Sequence, residues 1–284
     1  MLTPREIAAW RAHAPWATDT QVEQDLLLTR AMVAIFSDRF LASQVAMRGG
    51  TMLHKLHAAP AARYSEDIDL VAVGKRPQRD IRLALLRVLN PIMGGGPATD
   101  LMETLRLAIR NTVKPSRVMR LVWNYTPTDQ PNTTMALKVE VNVTERKPLF
   151  DLVHVPYAPL LPEGAQPVQV MTYDVDEMLG TKMRALLQRE HGRDLFDLAH
   201  VLERCAVPGH PHTVQPERVV RAFEHYMAQE GTVVSGEEYG RKLRYKLGLA
   251  RFRADLRDVL ADSVSYDADA AAETVERLLL VHLP

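Results

Sequence analysis

Cysteine is nearly absent from this sequence, since Cys205 is the only one among 284 residues. It has no partner within the chain for a disulfide, so nothing points to an oxidising compartment, and we expect a small buried side chain. The sequence also has no apolar run of the roughly 20 residues that a membrane-spanning helix needs, and no signal-peptide core near residue 1. We therefore expect a cytoplasmic protein without a membrane partner.

An excess of charge of either sign is missing as well, because 35 Lys and Arg residues balance 35 Asp and Glu residues. This balance excludes a uniformly basic nucleic-acid binder, but basic residues are concentrated in two places. A first group could line a binding groove: Arg106, Arg110, Lys114, Arg117 and Arg120. A second stretch, at residues 241–257, interleaves Arg and Lys with Tyr245 and Phe252. It fits RNA contact and a solvated helix face equally well.

Hydrophobic periodicity divides the chain into a mixed first part and a helical second part. Helices are predicted over residues 3–13, 20–40 and 78–89, with Thr-x-x-Glu capping signals at Thr3 and Thr20. Strands are predicted over residues 44–47, 68–73, 118–125 and 134–143. A proline-rich segment at residues 148–166 leads out of the sheet region, and further helices begin near Asp174, Arg193, Gln215, Ser235 and Ala268. We therefore predict an α+β fold, with a mixed sheet and flanking helices in residues 1–165 and a mostly helical domain in residues 166–284.

The segment Ser65-Glu66-Asp67-Ile68-Asp69-Leu70-Val71 is the most informative part of the sequence. Side chains two residues apart on a strand point to the same face, so the carboxylates of Asp67 and Asp69 should converge while Ile68 and Leu70 anchor the strand. Mg²⁺ prefers such hard oxygen ligands and completes its shell with water and phosphate oxygens. An isolated Asp-x-Asp also fits two solvated carboxylates.

A third carboxylate comes from the strand-like segment at residues 135–143. Its alternating apolar residues place Lys138, Glu140 and Asn142 on one face. If this strand lies beside the one with Asp67 and Asp69, Glu140 could be a metal ligand or a general base for an attacking hydroxyl. The alternative is a polar stripe that faces solvent.

A glycine turn, Gly49-Gly50-Thr51, precedes an apolar helix-like segment. Free N–H groups at such a turn can hold a phosphate, although an ordinary turn has the same sequence features. Ser65 could hydrogen-bond a phosphate or simply begin the strand.

Two later helices carry the remaining candidates. Lys182 shares a face with Met178 and Ala185, and could be a surface side chain or a point charge for phosphates. Asp194 and Asp197 are three residues apart and share a face, where they could also complement the helix dipole.

Five motifs follow one another along the chain: Gly-Gly-Thr, Ser-Glu-Asp-Ile-Asp, Lys-Val-Glu-Val, Thr-Lys-Met-Arg-Ala-Leu and Gly-Arg-Asp-Leu-Phe-Asp-Leu. Together and in this order, they resemble the AbiEii/AbiGii toxin family of nucleotidyltransferases, which includes the MenT toxins. The resemblance spans residues 47–202 and implies the DNA polymerase beta-like nucleotidyltransferase fold. It implies catalytic roles for Asp67, Asp69, Lys182 and Asp197, with Asp67 and Asp69 as metal ligands. Glu140 is the further catalytic candidate, as a third metal ligand or as the general base. It also implies nucleotide contacts by Gly50, Thr51, Ser65, Lys182 and Arg193. The sequence departs from the wider superfamily at Thr51, where serine is usual, and the role of the Glu140 position varies.

The activity implied by this resemblance is transfer of NMP from an NTP to an acceptor hydroxyl, namely the 3′ end of tRNA, which would block translation. Mg²⁺ is the expected cofactor, with Mn²⁺ as the alternative, and the helical domain would close the nucleotide cleft. The resemblance further implies an antitoxin partner of AbiEi type and control by phosphorylation of Ser65. Two alternatives stay open from the residues: NMP transfer to a protein or small molecule, and a non-catalytic NTP-binding module.

Overall fold

The computed structural model describes residues 2–93, 117–206 and 209–284. Contacts among these residues divide the chain into two compact units. The sheet unit comprises the described residues within Met1–Met52, Arg63–Pro148 and Leu152–Thr172, and the helical unit comprises those within Leu53–Ala62, Leu149–Asp151 and Tyr173–Pro284. None of the helices in the described ranges is long and apolar enough to cross a membrane.

The sheet unit is built on six strands in the order β3-β4-β2-β1-β6-β5. The strands are β1 (Val45–Arg48), β2 (Asp67–Ala72), β3 (Val118–Tyr125), β4 (Met135–Asn142), β5 (Val153–Tyr157) and β6 (Val168–Thr172). The sheet is mixed, because β2 pairs with β4 and β1 with β6 in parallel, whereas the other neighbours are antiparallel. The alternation predicted for β4 is confirmed, since Leu137, Val139 and Val141 are fully buried.

The helices of the sheet unit are α1 (Pro4–Trp10), α2 (Asp19–Ser37), α3 (Arg39–Gln44), α4 (Gly49–Met52) and α5 (Gln78–Leu89). The capping box predicted at Thr3 is confirmed, with Glu6 as its partner. The second capping signal was placed wrongly, because α2 begins two residues earlier with a capping box of Thr18 and Gln21. Thr20 instead lies inside the helix, where its hydroxyl donates to the Asp129 carboxylate (3.1 Å).

The prediction that the chain leaves the sheet after residue 148 is wrong. β5 and β6 form an antiparallel hairpin, and β6 adds to the sheet through parallel pairing with β1. Pro156 is accommodated because β5 is an edge strand, where a missing N–H removes no bond from the centre of the sheet.

The helical unit contains α6 (Val175–Gln188), α7 (Gly192–Cys205), α8 (Pro216–Gln229), α9 (Gly236–Leu247), α10 (Ala250–Ala254) and α11 (Ala268–Leu278). It also contains a π-helical turn (Leu53–His57) and a 3₁₀ turn (Leu280–His282). The predicted helix starts near residues 174, 193, 215, 235 and 268 are confirmed. Cys205 is buried, as expected from its isolation.

Lys246 lies within the second basic stretch, but it is buried and serves the fold. Its ammonium donates to the backbone carbonyls of Leu186, Leu187 (2.9 Å) and Arg189 (2.6 Å), which end α6. A lysine at this place satisfies carbonyls that have no partner within the helix. It therefore fixes the end of the helix that carries Lys182.

The predicted α+β class, with a mixed sheet and C-terminal helices, is confirmed. The compact units interleave along the chain, because residues 53–62 group with the helices and β6 groups with the sheet. The division into functional domains at residues 165 and 166 stays a prediction.

Candidate active site

The two aspartates of β2 lie on one face of the sheet, beside β4. The parallel register of β2 and β4 sets Asp69 opposite Glu140 and Asp67 opposite Lys138. The condition set by the sequence, that the Glu140 strand lie beside the aspartate strand, is therefore met. Glu140 is a direct neighbour of Asp69 although 70 residues separate them in the chain.

Charged residues cross four strands in one row. Arg48 of β1 is opposite Asp69, Asp69 is opposite Glu140, and Glu140 is opposite Arg120 of β3. The Arg120 guanidinium donates to Glu140 Oε1 (2.6 Å), and the Arg48 guanidinium donates to the carboxylate of Glu145 (2.8 Å). Two carboxylates therefore lie between two arginines, and Arg120 holds Glu140 from the side of β3.

Asp67 has the features expected of a cation ligand. Its Oδ1 is buried and accepts no hydrogen bond from the described residues, and the Lys138 ammonium lies 3.7 Å away. Burial raises the pKa of Asp67 to about 6, with further contributions from Asp69, Glu66 and Glu140, while Lys138 opposes the shift. A carboxylate oxygen without a donor, next to a second carboxylate, suits a hard divalent cation.

A complete metal site is not preformed. No group of three or more His, Cys, Asp or Glu side chains in the described ranges is arranged to hold an ion. Mg²⁺ is commonly bound by one or two carboxylates together with substrate phosphates and water. The arrangement of Asp67 and Asp69 therefore fits an ion that binds together with its nucleotide.

The glycine turn approaches the aspartates so closely that a side chain would not fit. Gly49 has a φ of +84°, and a Cβ there would lie 2.0 Å from Asp69 Oδ2. A Cβ at Gly50 would lie 2.4 Å from the guanidinium of Arg63, which is buried. Backbone that is free of side chains thus lies directly beside the Asp69 carboxylate.

Thr51 and Ser65 connect the glycine turn to the start of β2. Thr51 is fully buried, and its hydroxyl donates to the backbone carbonyl of Asp67 (2.6 Å). The hydroxyls of Thr51 and Ser65 are hydrogen-bonded to each other (2.8 Å). These bonds hold the aspartate strand against the turn, and the nucleotide contacts of Gly50, Thr51 and Ser65 stay predictions.

The helical unit holds Lys182 of α6 between two aspartates of α7. The Lys182 ammonium lies 2.7 Å from Asp197 Oδ2 and 3.1 Å from Asp194 Oδ1. Both carboxylates are buried, and only 12% of the Lys182 side chain is exposed. Lys182 is therefore a fixed cation and not a mobile surface side chain.

Arg193, a predicted nucleotide contact, faces a different residue. Both its backbone N–H (3.0 Å) and its guanidinium (3.2 Å) donate to the carboxylate of Asp255. Asp255 thereby satisfies a free N–H in the first turn of α7. A nucleotide contact by Arg193 stays a prediction.

Most cations of the second basic stretch have acidic partners. Arg244 pairs with Glu276, Arg251 with Glu190, Arg253 with Asp269 and Lys242 with Glu238. These pairs reduce the positive field of the surface and favour the solvated helix face over RNA contact. In the first basic group, Arg106, Arg110 and Lys114 lie outside the described residues.

Sequence reasoning missed two supporting residues, one beside the carboxylates of the sheet unit and one beside Asp197 of the helical unit. Gln24 of α2 donates to the backbone carbonyls of Glu66 and Ala136 (both 3.2 Å), and so ties β2 to β4 just before the carboxylates. His54, in the π-helical turn, lies 2.8 Å from Asp197. The sequence marks His54 only as an ionisable side chain within an apolar segment. No feature of the sequence around Gln24 indicates a supporting role.

The comparison with known families identifies one match. A family described as a nucleotidyl transferase AbiEii toxin of a type IV toxin–antitoxin system matches residues 30–276. This range contains every predicted site residue from Gly50 to Asp197. No curated protein sequence matches the chain.

Solved structures of two bacterial proteins are similar over nearly the whole chain. MenT4, a nucleotidyltransferase toxin from Mycobacterium tuberculosis H37Rv, has 16% sequence identity and a TM-score of 0.52, with 100% of each chain covered. JHP933 from Helicobacter pylori has 15% identity and a TM-score of 0.52, with 93% of each chain covered. At such identities the similarity establishes a shared fold.

Proposed function

Because the chain belongs to the nucleotidyl transferase AbiEii toxin family of type IV toxin–antitoxin systems, we propose that it transfers NMP from an NTP to the 3′ end of tRNA. Nucleotides added there would block aminoacylation and hence translation. The observation that carries the proposal is the pairing of Asp69 with Glu140 on the face that also holds Asp67, directly beside the glycine turn.

The chemistry needs a divalent cation, and the carboxylates of Asp67 and Asp69 would hold Mg²⁺ or Mn²⁺. When bound, the ion neutralises charge on the triphosphate and polarises the acceptor hydroxyl. Glu140 would act as a third ligand or as the general base, and Arg120 competes for one of its two carboxylate oxygens. Protein residues mainly position the reactants, because phosphoryl chemistry needs little covalent help.

Phosphate binding would use backbone and side-chain donors. The backbone N–H groups of Gly50 and Thr51 and the hydroxyl of Ser65 would hydrogen-bond phosphate oxygens. Lys182 would offset negative charge on the triphosphate, and Asp197 would orient Lys182. Arg193 would contact a nucleotide through guanidinium donors that do not bind Asp255.

Incubation with each labelled NTP, Mg²⁺ and total tRNA, followed by a denaturing gel, tests the proposal. We expect label in tRNA with wild-type protein and none with Asp69→Asn, which removes the charge that a cation needs. Glu66→Gln is the matched control, because Glu66 lies in the same motif but is exposed. We expect it to label tRNA as the wild type does.

Fractionation of the same incubation, together with a pyrophosphate assay, distinguishes the alternatives. Label in the protein or small-molecule fraction, with none in tRNA, would show that the acceptor is a protein or a small molecule. A protein that binds NTP but releases no pyrophosphate in the presence of Mg²⁺ would be a non-catalytic module.

Control by an antitoxin of AbiEi type, in the cytoplasm, belongs to the same proposal. Ser65 directly precedes the acidic motif, so a phosphate on its hydroxyl would add a dianion beside Asp67 and Asp69 and repel the triphosphate. It would also disturb the hydrogen bond to Thr51. Intact-mass measurement after coexpression with the neighbouring antitoxin tests this control, and neutralisation of an unmodified protein would reject it.

A further inference from the structure

A buried histidine supports the acid that orients Lys182. His54 lies three residues after Thr51 in the chain, within the π-helical turn Leu53–His57 of the helical unit. Only 1% of its side chain is exposed, and its Nε2 lies 2.8 Å from Oδ1 of Asp197 on α7. Such π-helical turns are rare and often occur at functional sites.

The two oxygens of the Asp197 carboxylate have different partners. Oδ1 faces His54 and Oδ2 faces the Lys182 ammonium at 2.7 Å. A carboxylate contacted on both oxygens is held in one orientation, and it fixes the lysine in turn. This geometry favours Asp197 as an orienting group and not as the base that accepts a proton from the acceptor.

The bond between His54 and Asp197 needs a hydrogen on Nε2 of the imidazole. An imidazole that carries this hydrogen donates to Asp197 Oδ1, which can only accept while the carboxylate is ionised.

Stacked rings hold the His54 imidazole in place. Its ring lies 5.8 Å from that of Phe196 and 5.7 Å from that of His200, with interplanar angles of 17° and 29°. Phe196 and His200 also stack on each other (5.2 Å) along α7. Rotation of His54 away from Asp197 would break these contacts.

We propose that His54 is a positioning residue, which orients Asp197 so that Lys182 presents its ammonium at one fixed place for the substrate phosphates. The inference rests on the proposed transferase function. Lys182 is the group that touches substrate, and His54 acts on it through Asp197.

The chain provides a matched control in the same turn. His57 is also 1% exposed, and neither of its ring nitrogens has a hydrogen-bond partner among the described residues. It packs edge-on against His212, with ring centroids 4.5 Å apart. Replacing either histidine by phenylalanine removes a buried imidazole, but only His54→Phe removes a bond to Asp197.

The first test compares kcat and KM for the NTP in His54→Phe, His54→Gln and His57→Phe. We expect His54→Phe to lower kcat about 10- to 100-fold, as the loss of a supporting group around a reactive residue commonly does. KM for the NTP should change much less. His54→Gln should recover most of kcat, because its amide can replace Nε2–H, and His57→Phe should keep the wild-type kcat. Equal losses in His54→Phe and His57→Phe, or no recovery in His54→Gln, would overturn the proposal.

The second test does not depend on activity. Urea denaturation midpoints are measured for His54→Phe, Asp197→Asn and the double variant. Because the two residues are bonded, we expect the double variant to lose clearly less than the sum of the single losses, whereas additive losses would overturn the proposal. A wild-type protein that transfers no nucleotide but shows this coupling would refute the transferase function and leave the His54–Asp197 pairing established.

Discussion

Substitution of Gly49 by alanine tests whether the Asp69 carboxylate is where the reaction takes place. The new Cβ would lie 2.0 Å from Asp69 Oδ2, 2.8 Å from its Cγ and 2.9 Å from its Cβ. Real Cβ atoms essentially never approach another atom within 3.0 Å, so the carboxylate must retreat by about 1 Å. An error of about 1 Å in the position of a reacting group can cost about 100-fold in rate.

The positive φ of Gly49 adds a separate effect on stability. Alanine at a left-handed position costs about 1–2 kcal/mol, whatever its surroundings. Gly164 provides the control for this cost, because its φ is +78° and no atom lies within 4 Å of the place a Cβ would take. Both variants should therefore lose similar stability from the backbone, and only Gly49→Ala should displace Asp69.

The assay is the initial rate of NMP transfer at saturating Mg²⁺, together with urea denaturation of each variant. We expect Gly164→Ala to transfer at nearly the wild-type rate and Gly49→Ala to be slower by about 100-fold. Equal rates in two folded variants would show that Asp69 can move without loss of catalysis. That result would refute the assignment of the reaction to this face of the sheet.

Three further predictions concern the supporting residues. Lys246→Met should lower the free energy of unfolding by about 3 kcal/mol in urea denaturation, because three carbonyls at the end of α6 lose their donor; a loss under about 1 kcal/mol would contradict this role. Burial and the neighbouring histidines lower the pKa of His57 to about 3 from 6.5, so its neutral form favours folding. This contribution to stability is complete above pH 6.5 and is lost as the pH falls toward 3. The urea denaturation midpoint of the wild type should therefore decrease more steeply between pH 6.5 and 3 than that of His57→Phe. Equal slopes of midpoint against pH for the two proteins would contradict the lowered pKa of His57. Arg120→Met should lower the Mg²⁺ concentration for half-maximal transfer several-fold by releasing Glu140, and an unchanged concentration would argue against Glu140 as a ligand.

Local patterns in the sequence were sufficient for most of the secondary structure. The alternation around Val139 predicted β4, and the Thr3 capping box marked the start of α1. The β5–β6 hairpin was missed because prolines dominate the segment, and its strands are stabilised by pairing with β1 and not by their own pattern.

The site itself was only partly accessible to sequence reasoning. Two-residue spacing was enough to predict that Asp67 and Asp69 share a face. That Glu140 lies beside Asp69 could be predicted only on the condition that β2 and β4 are neighbours. Which residue then faces Asp69 depends on the register between the two strands. The structure met that condition, and it also showed that Arg120 holds Glu140.

The sequence alone determined the fold class, the order of the motifs and the family, because periodicity and motif spacing are properties of neighbouring residues. Tertiary structure alone decided which distant side chains meet. His54 and Asp197 are 143 residues apart in the chain, and Lys246 reaches carbonyls near residue 187 from a stretch whose sequence indicates a charged surface. Such pairs form because packing buries polar groups away from water, so that they must hydrogen-bond to each other. A local sequence pattern does not indicate which distant group will be the partner.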